Sequence, residues 1–86
     1  MNAERLAEMA NDIAAYFRSE PDHAAAVAGM VMHLQRFWEP RMRVQIVRHL
    51  QDGAGDLDPL AREAVAELGR QAGPAPAGQG GEQVAG

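Results

Sequence analysis

There is no cysteine in these 86 residues. Disulfides are therefore excluded, and thiolate metal sites with them. There is no lysine either; all eight basic residues are arginine. Serine is nearly absent. The one example, Ser19, falls in what reads as a helix-end turn, which leaves little material for nucleophilic catalysis. No apolar run approaches the ~20 residues that a membrane span requires. The first twenty residues alternate apolar and charged positions and lack the unbroken apolar core of a secretory signal. A cytoplasmic protein with no membrane partner is the expectation. Neither GxGxxG nor a phosphate-binding loop occurs; the Gly80-Gly81 pair lies near the C-terminal end. His23, His33 and His49 are the only imidazoles, and their spacings of 10 and 16 residues match no familiar zinc pattern. They are read as unliganded. The carboxylate pairs Glu4–Glu8 and Glu8–Asp12 fall on the presumed wet face of the first helical segment. Taken alone, the chain is expected to bind no metal and no cofactor, and to catalyse nothing.

What is present is helical and small. Hydrophobic residues make up 47% of the chain, but seventeen of those forty are alanine. A domain of this size buries only about 60% of the surface that its unfolded chain exposes. Its hydrophobic gain, about 25 cal/mol per Å², comes close to cancelling an ordering cost of about 1.5 kcal/mol per residue. Without disulfides or a metal, the composition leans towards a partner.

Prolines 21, 40 and 59 each follow an acid, in Glu20-Pro21, Glu39-Pro40 and Asp58-Pro59. Proline suits the first turn of a helix and biases the preceding residue away from helix. An acid there favours the positive helix N-terminus. These signals predict four helical segments, 3–19, 21–38, 40–52 and 59–72. In the first, Leu6, Met9, Ala10, Ile13, Tyr16 and Phe17 form one stripe at about 100° per residue. The second repeats that spacing with Val27, Met30, Val31, Leu34, Phe37 and Trp38, and the two read as an antiparallel pair. In the fourth, Leu57, Leu60, Ala61, Ala64, Val65 and Leu68 face one way, with Asp58 as N-cap. Gly53 is placed to end the third segment in the left-handed conformation. The expected fold is all-α: a three- or four-helix bundle over residues 1–72, followed by a Gly/Pro/Ala-rich flexible tail over 73–86.

The charge is segregated. Residues 30–50 hold Arg36, Arg41, Arg43 and Arg48 against one acid, Glu39, while the rest of the chain holds four arginines and eleven acids. The net charge of −4 makes general nucleic-acid binding a poor fit. Arg43 stands in the middle of the apolar side of segment 3, alongside Met42, Ile46, Val47 and Leu50. A guanidinium there must snorkel, find a buried carboxylate, or mark a face that is not core. We take the last reading, because arginine with large aromatics is the usual composition of a binding hot spot. The candidate partner-binding residues are Arg36, Phe37, Trp38, Pro40, Arg41, Met42 and Arg43. Trp38 doubles as a core candidate, whereas Phe37, Tyr16 and Met32 lie at or beyond the edge of their stripes.

The stretches MANDIAAYF (9–17) and VAGMVMHLQRFWEPRMR (27–43) resemble the delta subunit of cytoplasmic NAD-dependent formate dehydrogenases. The family pattern is MANQIxxFF, a proline, an alanine-rich turn and HLxxFWxPRMR. Tyr16 and Glu39 depart mildly from it, and beyond Leu50 the resemblance is silent. It implies a complex that oxidises formate to carbon dioxide and reduces NAD. The large catalytic subunit would carry a bis-molybdopterin guanine dinucleotide with molybdenum or tungsten, and iron–sulfur clusters. Other subunits would carry FMN and the NAD site. The resemblance implies that this chain is a non-catalytic accessory part of that hetero-oligomer, supporting its assembly, stability or cofactor maturation. A transient assembly chaperone of the large subunit is the alternative, and a small nucleic-acid-binding regulator a more distant one.

Overall fold

The computed structural model describes residues 2–72. Four helices make up the fold: α1 (Ala3–Phe17), α2 (His23–Phe37), α3 (Pro40–Gln51) and α4 (Pro59–Ala72). There is no strand among the described residues. The tail expected at 73–86 lies outside them.

Each helix start has a visible cause. Asn2 Oδ1 accepts from the Arg5 amide at 2.7 Å. Asp22 accepts from the amides of Ala24 and Ala25 at 3.0 and 3.4 Å. Asp58 Oδ1 accepts from the Ala61 amide at 2.9 Å. These carboxylate and amide oxygens satisfy N–H groups that the first turn leaves unpaired. Glu39 makes no such bond, and Pro40 in the first turn of α3 takes the place of one orphan donor. Helix α2 departs from the sequence expectation: it begins at His23, not Pro21. The aspartate two positions before Ala24 caps better than a proline starts, so Pro21 stays in the turn.

Helix α2 stops because Trp38 and Glu39 are both extended, at ψ 138° and 151°, ahead of Pro40. Helix α3 stops at a glycine. Gly53 has φ +100°, the Ala54 amide reaches back to His49 O at 3.2 Å, and the Gly53 amide to Leu50 O at 3.0 Å. That is the paired 6→1 and 5→2 closure of a helix end.

Seven of the seventeen buried core residues are alanine. Small side chains let the helices approach closely, so alanine contributes to the core instead of diluting it. Leu6, Met30, Leu34, Ile46 and Val65 are the largest fully buried side chains. Helix α4 packs against all three others, most extensively against α2 and α3. The α1 stripe is rotated from its expected position. Ala7, Ala10 and Ala14 are buried with Leu6, Met9 and Ile13 are half-buried, and Tyr16 is exposed. Helix α1 touches three neighbours, so no single stripe describes its covered side.

The α3–α4 connection is pinned to α1 by one amide. Asn11 Nδ2 donates to Asp56 O at 2.7 Å, and Asn11 Oδ1 accepts from the Asp58 amide at 2.9 Å. Arg62 donates to Ala54 O at 2.6 Å across the same loop. Arg18 and Asp58 pair at 2.6 Å, joining the end of α1 to the start of α4.

Candidate functional site

The α2–α3 corner is built from the inside outwards. The Trp38 side chain is buried in the core and fixes where α2 ends. Met42 is half-buried and packs against the core from the first turn of α3. Arg43 turns inwards, as the sequence reading did not foresee. Its Nη1 donates to Trp38 O at 2.6 Å and to Gln35 O at 3.2 Å. The last carbonyls of a helix lack internal partners and carry the negative end of its dipole, so a guanidinium satisfies both. Arg43 thus holds the corner closed, and the face marked by its position is a helix end. A cation a few residues past a proline-terminated helix is the signal that could have found this role.

The other arginines divide sharply. Arg5, Arg18 and Arg70 pair with Glu8, Asp58 and Glu67. Arg62 and Arg43 bind backbone carbonyls. Arg36, Arg41 and Arg48 are exposed and make no side-chain hydrogen bond or ion pair among the described residues. Phe37, beside Arg36, is 69% exposed, and Pro40 is exposed at the tip of the corner. Of the seven candidate residues, the structure therefore brings Arg36, Phe37, Pro40 and Arg41 to the surface. It turns Trp38 inwards, and Met42 and Arg43 partly so.

Charge placement on α3 is unusual. Its first turn contains Arg41 and Arg43 and no acid. Cations at a helix N-terminus oppose the dipole by roughly 0.3–1 kcal/mol each at exposed positions. Arg43 offsets this through the carbonyls of α2. Arg41 has no such compensation within the described residues.

Elsewhere the chemistry is sparse. His23 meets Glu63 at 2.8 Å, and His49 meets Asp56 at 2.9 Å. Among the described residues no three histidine, aspartate or glutamate side chains converge as a metal site. With no thiol in the chain, the thiolates that hold an iron–sulfur cluster are not supplied by it. A cleft of about 480 Å³ separates the α1–α2 turn from the start of α4, with Arg18–Asp58 and His23–Glu63 among its walls. It presents polar side chains that are already paired with one another. On α4, the Arg70 hydrogen bonds, and then that of Gln71, hold the Glu67 carboxyl below its ordinary value. No helix among the described residues is long and apolar enough to cross a membrane. The site thus offers shape, apolar surface and unpaired cations for recognition.

The family model of the NADH-dependent formate dehydrogenase delta subunit, FdsD, matches residues 5–65. The match takes in the α2–α3 corner and extends beyond Leu50 into α4, where sequence reading found no resemblance. No curated protein and no solved structure matches the chain. With the family model covering well over half of its residues, the chain belongs to the NADH-dependent formate dehydrogenase delta subunit family.

Proposed function

We propose that this chain is a resident, non-catalytic subunit of an NADH-dependent formate dehydrogenase. In this reading it docks through its α2–α3 corner on the large molybdopterin-binding subunit and stabilises the assembly. The complex as a whole interconverts formate and carbon dioxide with NAD. This chain contributes no redox group and works in the cytoplasm. The observation that carries the reading is the pair of corner cations, Arg36 and Arg41, that make no side-chain bond among the described residues; Arg48, in the last turn of α3, shares this condition, and the other five arginines are engaged. Arg36 and Arg41 flank an exposed phenylalanine, and Arg41 sits where a cation disfavours its own helix. A residue that weakens the free subunit is accounted for if a partner's carboxylate or carbonyl oxygens meet it in the complex.

The test is the amount of this chain in purified, active enzyme. Near-equimolar retention alongside the other subunits supports a resident part. Retention only in immature, cofactor-poor preparations assigns it instead to transient assembly.

A further inference from the structure

Four rings form a continuous row on one side of the α1–α2 pair. Tyr16 meets Phe17 edge-on with centroids 5.1 Å apart. Phe17 lies 6.3 Å from His33, and His33 lies 4.7 Å from Phe37. A glycine makes the row possible. A Cβ at Gly29 would come within 2.7 Å of Phe17 Cε1, so the ring rests directly on the α2 backbone. Beside the row runs a groove of about 440 Å³, lined by Asp12, Ile13, Tyr16, Phe17 and His33. The row ends in water: Tyr16 is 76% exposed and Phe37 69%, and Met32 on the same helix is 56% exposed.

These large side chains do little for the core of the free chain. Aromatic residues and methionine are enriched at protein interfaces because they combine large apolar area with adaptable contact. The groove is also continuous with the corner. At about 100° per residue, Met32, His33, Arg36 and Phe37 share one outward side of α2. Asp12 on α1 lines the groove, and Arg36 on α2 lies one turn beyond its His33 wall; the two carry opposite charge, and neither makes a side-chain bond among the described residues.

We infer that this groove receives an amphipathic helix from another subunit of the complex. Large apolar side chains of that helix cover the ring row. A carboxylate on one flank meets Arg36, and a basic or amide side chain on the other meets Asp12. A groove between two helices accepts a third by the same packing of ridges, with anchors spaced i, i+3, i+4 and i+7. The inference rests on the docking role proposed above and adds the chemistry of the occupant.

The experiment places a benzophenone-bearing phenylalanine at position 16, and in parallel at position 41, in the full chain within the assembled complex. Irradiation is followed by peptide mapping. The expected result is capture of another subunit at both positions. The peptide joined at 16 should carry leucine, methionine or aromatic residues within one helical turn of an aspartate or glutamate. Capture at 41 alone leaves corner docking intact and overturns the helix in the groove. Capture at neither position overturns both. A second copy of this chain joined at 16, or a peptide without a nearby acid, also overturns the inference. As a second measurement, Tyr16→Ala should lower retention in the complex about tenfold or more, in the range of an interface anchor. The helicity of the free chain should not change, because Tyr16 is mostly solvent-exposed.

Discussion

Arg43 Nη1 lies 2.6 Å from the carbonyl oxygen of Trp38, five residues earlier and across a proline. That contact ties the first turn of α3 to the last residue of the α2 corner. A hydrogen bond from a charged group contributes about 1.5–3 kcal/mol, less where water reaches it. Arg43→Ala is therefore expected to destabilise the free chain by about 1–2 kcal/mol, and Arg43→Lys by less. A thermal melt reads the loss as a fall of roughly 5–10 °C for a domain of this size. An unchanged melting temperature would remove Arg43 from the structural role given to it.

Asn11 is the second clasp. It donates to Asp56 O and accepts from the Asp58 amide, so one side chain closes two backbone groups of the α3–α4 loop. Asn11→Asp keeps the shape, deletes the donor and adds a negative charge beside Asp58. The expected cost is about 1–3 kcal/mol, the range for a polar group left unpaired. Hydrogen exchange at the amides of 54–58 should accelerate in the variant and leave α2 protected.

Two glycines should respond differently to alanine. At Gly53 the backbone has φ +100°, and nothing lies within 4 Å of an added Cβ. Gly53→Ala is thus a pure backbone strain, worth about 1–2 kcal/mol of destabilisation. At Gly29 the helix gains about 0.8–1 kcal/mol of propensity, but the Cβ drives into Phe17. Stability should change by less than about 1 kcal/mol while the Phe17 ring moves. Chemical shifts of the Tyr16, Phe17 and His33 rings report that movement directly.

Much of the fold was legible in the sequence because its punctuation is local. Asp58 and Gly53 do at the helix ends what those residue types do anywhere, and Glu39-Pro40 marks a true helix start. Glu20-Pro21 misled because Asp22, just beyond it, offered a better cap. The α1 stripe was misplaced because apolar periodicity weights large side chains, whereas this core accepts Ala7, Ala10 and Ala14 at its closest approaches. The site was legible in composition more than in geometry. Arg36, Phe37 and Arg41 are exposed as a contact surface requires, but the inward turn of Arg43 depends on two carbonyls brought near by the corner. The ring row depends on Gly29 lying under Phe17, a contact between helices that no single segment encodes.

Acid should weaken α4 through Glu67. Hydrogen bonds from Arg70 and Gln71 favour its charged form and hold its carboxyl below the ordinary value of 4.5. A lowered folded value means that this stabilisation is present above the unfolded value and is lost as the pH falls through the folded one. In Glu67→Gln the part of the acid sensitivity due to this group should disappear. Helix content followed from neutral pH down through the carboxylate range, in both forms, checks it.

The central claim concerns the cations left free at the corner, and charge reversal at Arg41 tests it most directly. Arg41 occupies the first turn of α3, so Arg41→Glu places an acid where the helix dipole favours one. The free chain should hold its stability or gain roughly 0.3–1 kcal/mol. Co-purification with the other formate dehydrogenase subunits should nevertheless fall sharply. Arg5→Glu, which changes the net charge equally in the first turn of α1, should leave it intact. If the Arg41→Glu chain is retained as fully as the Arg5→Glu chain, the corner is not the docking surface.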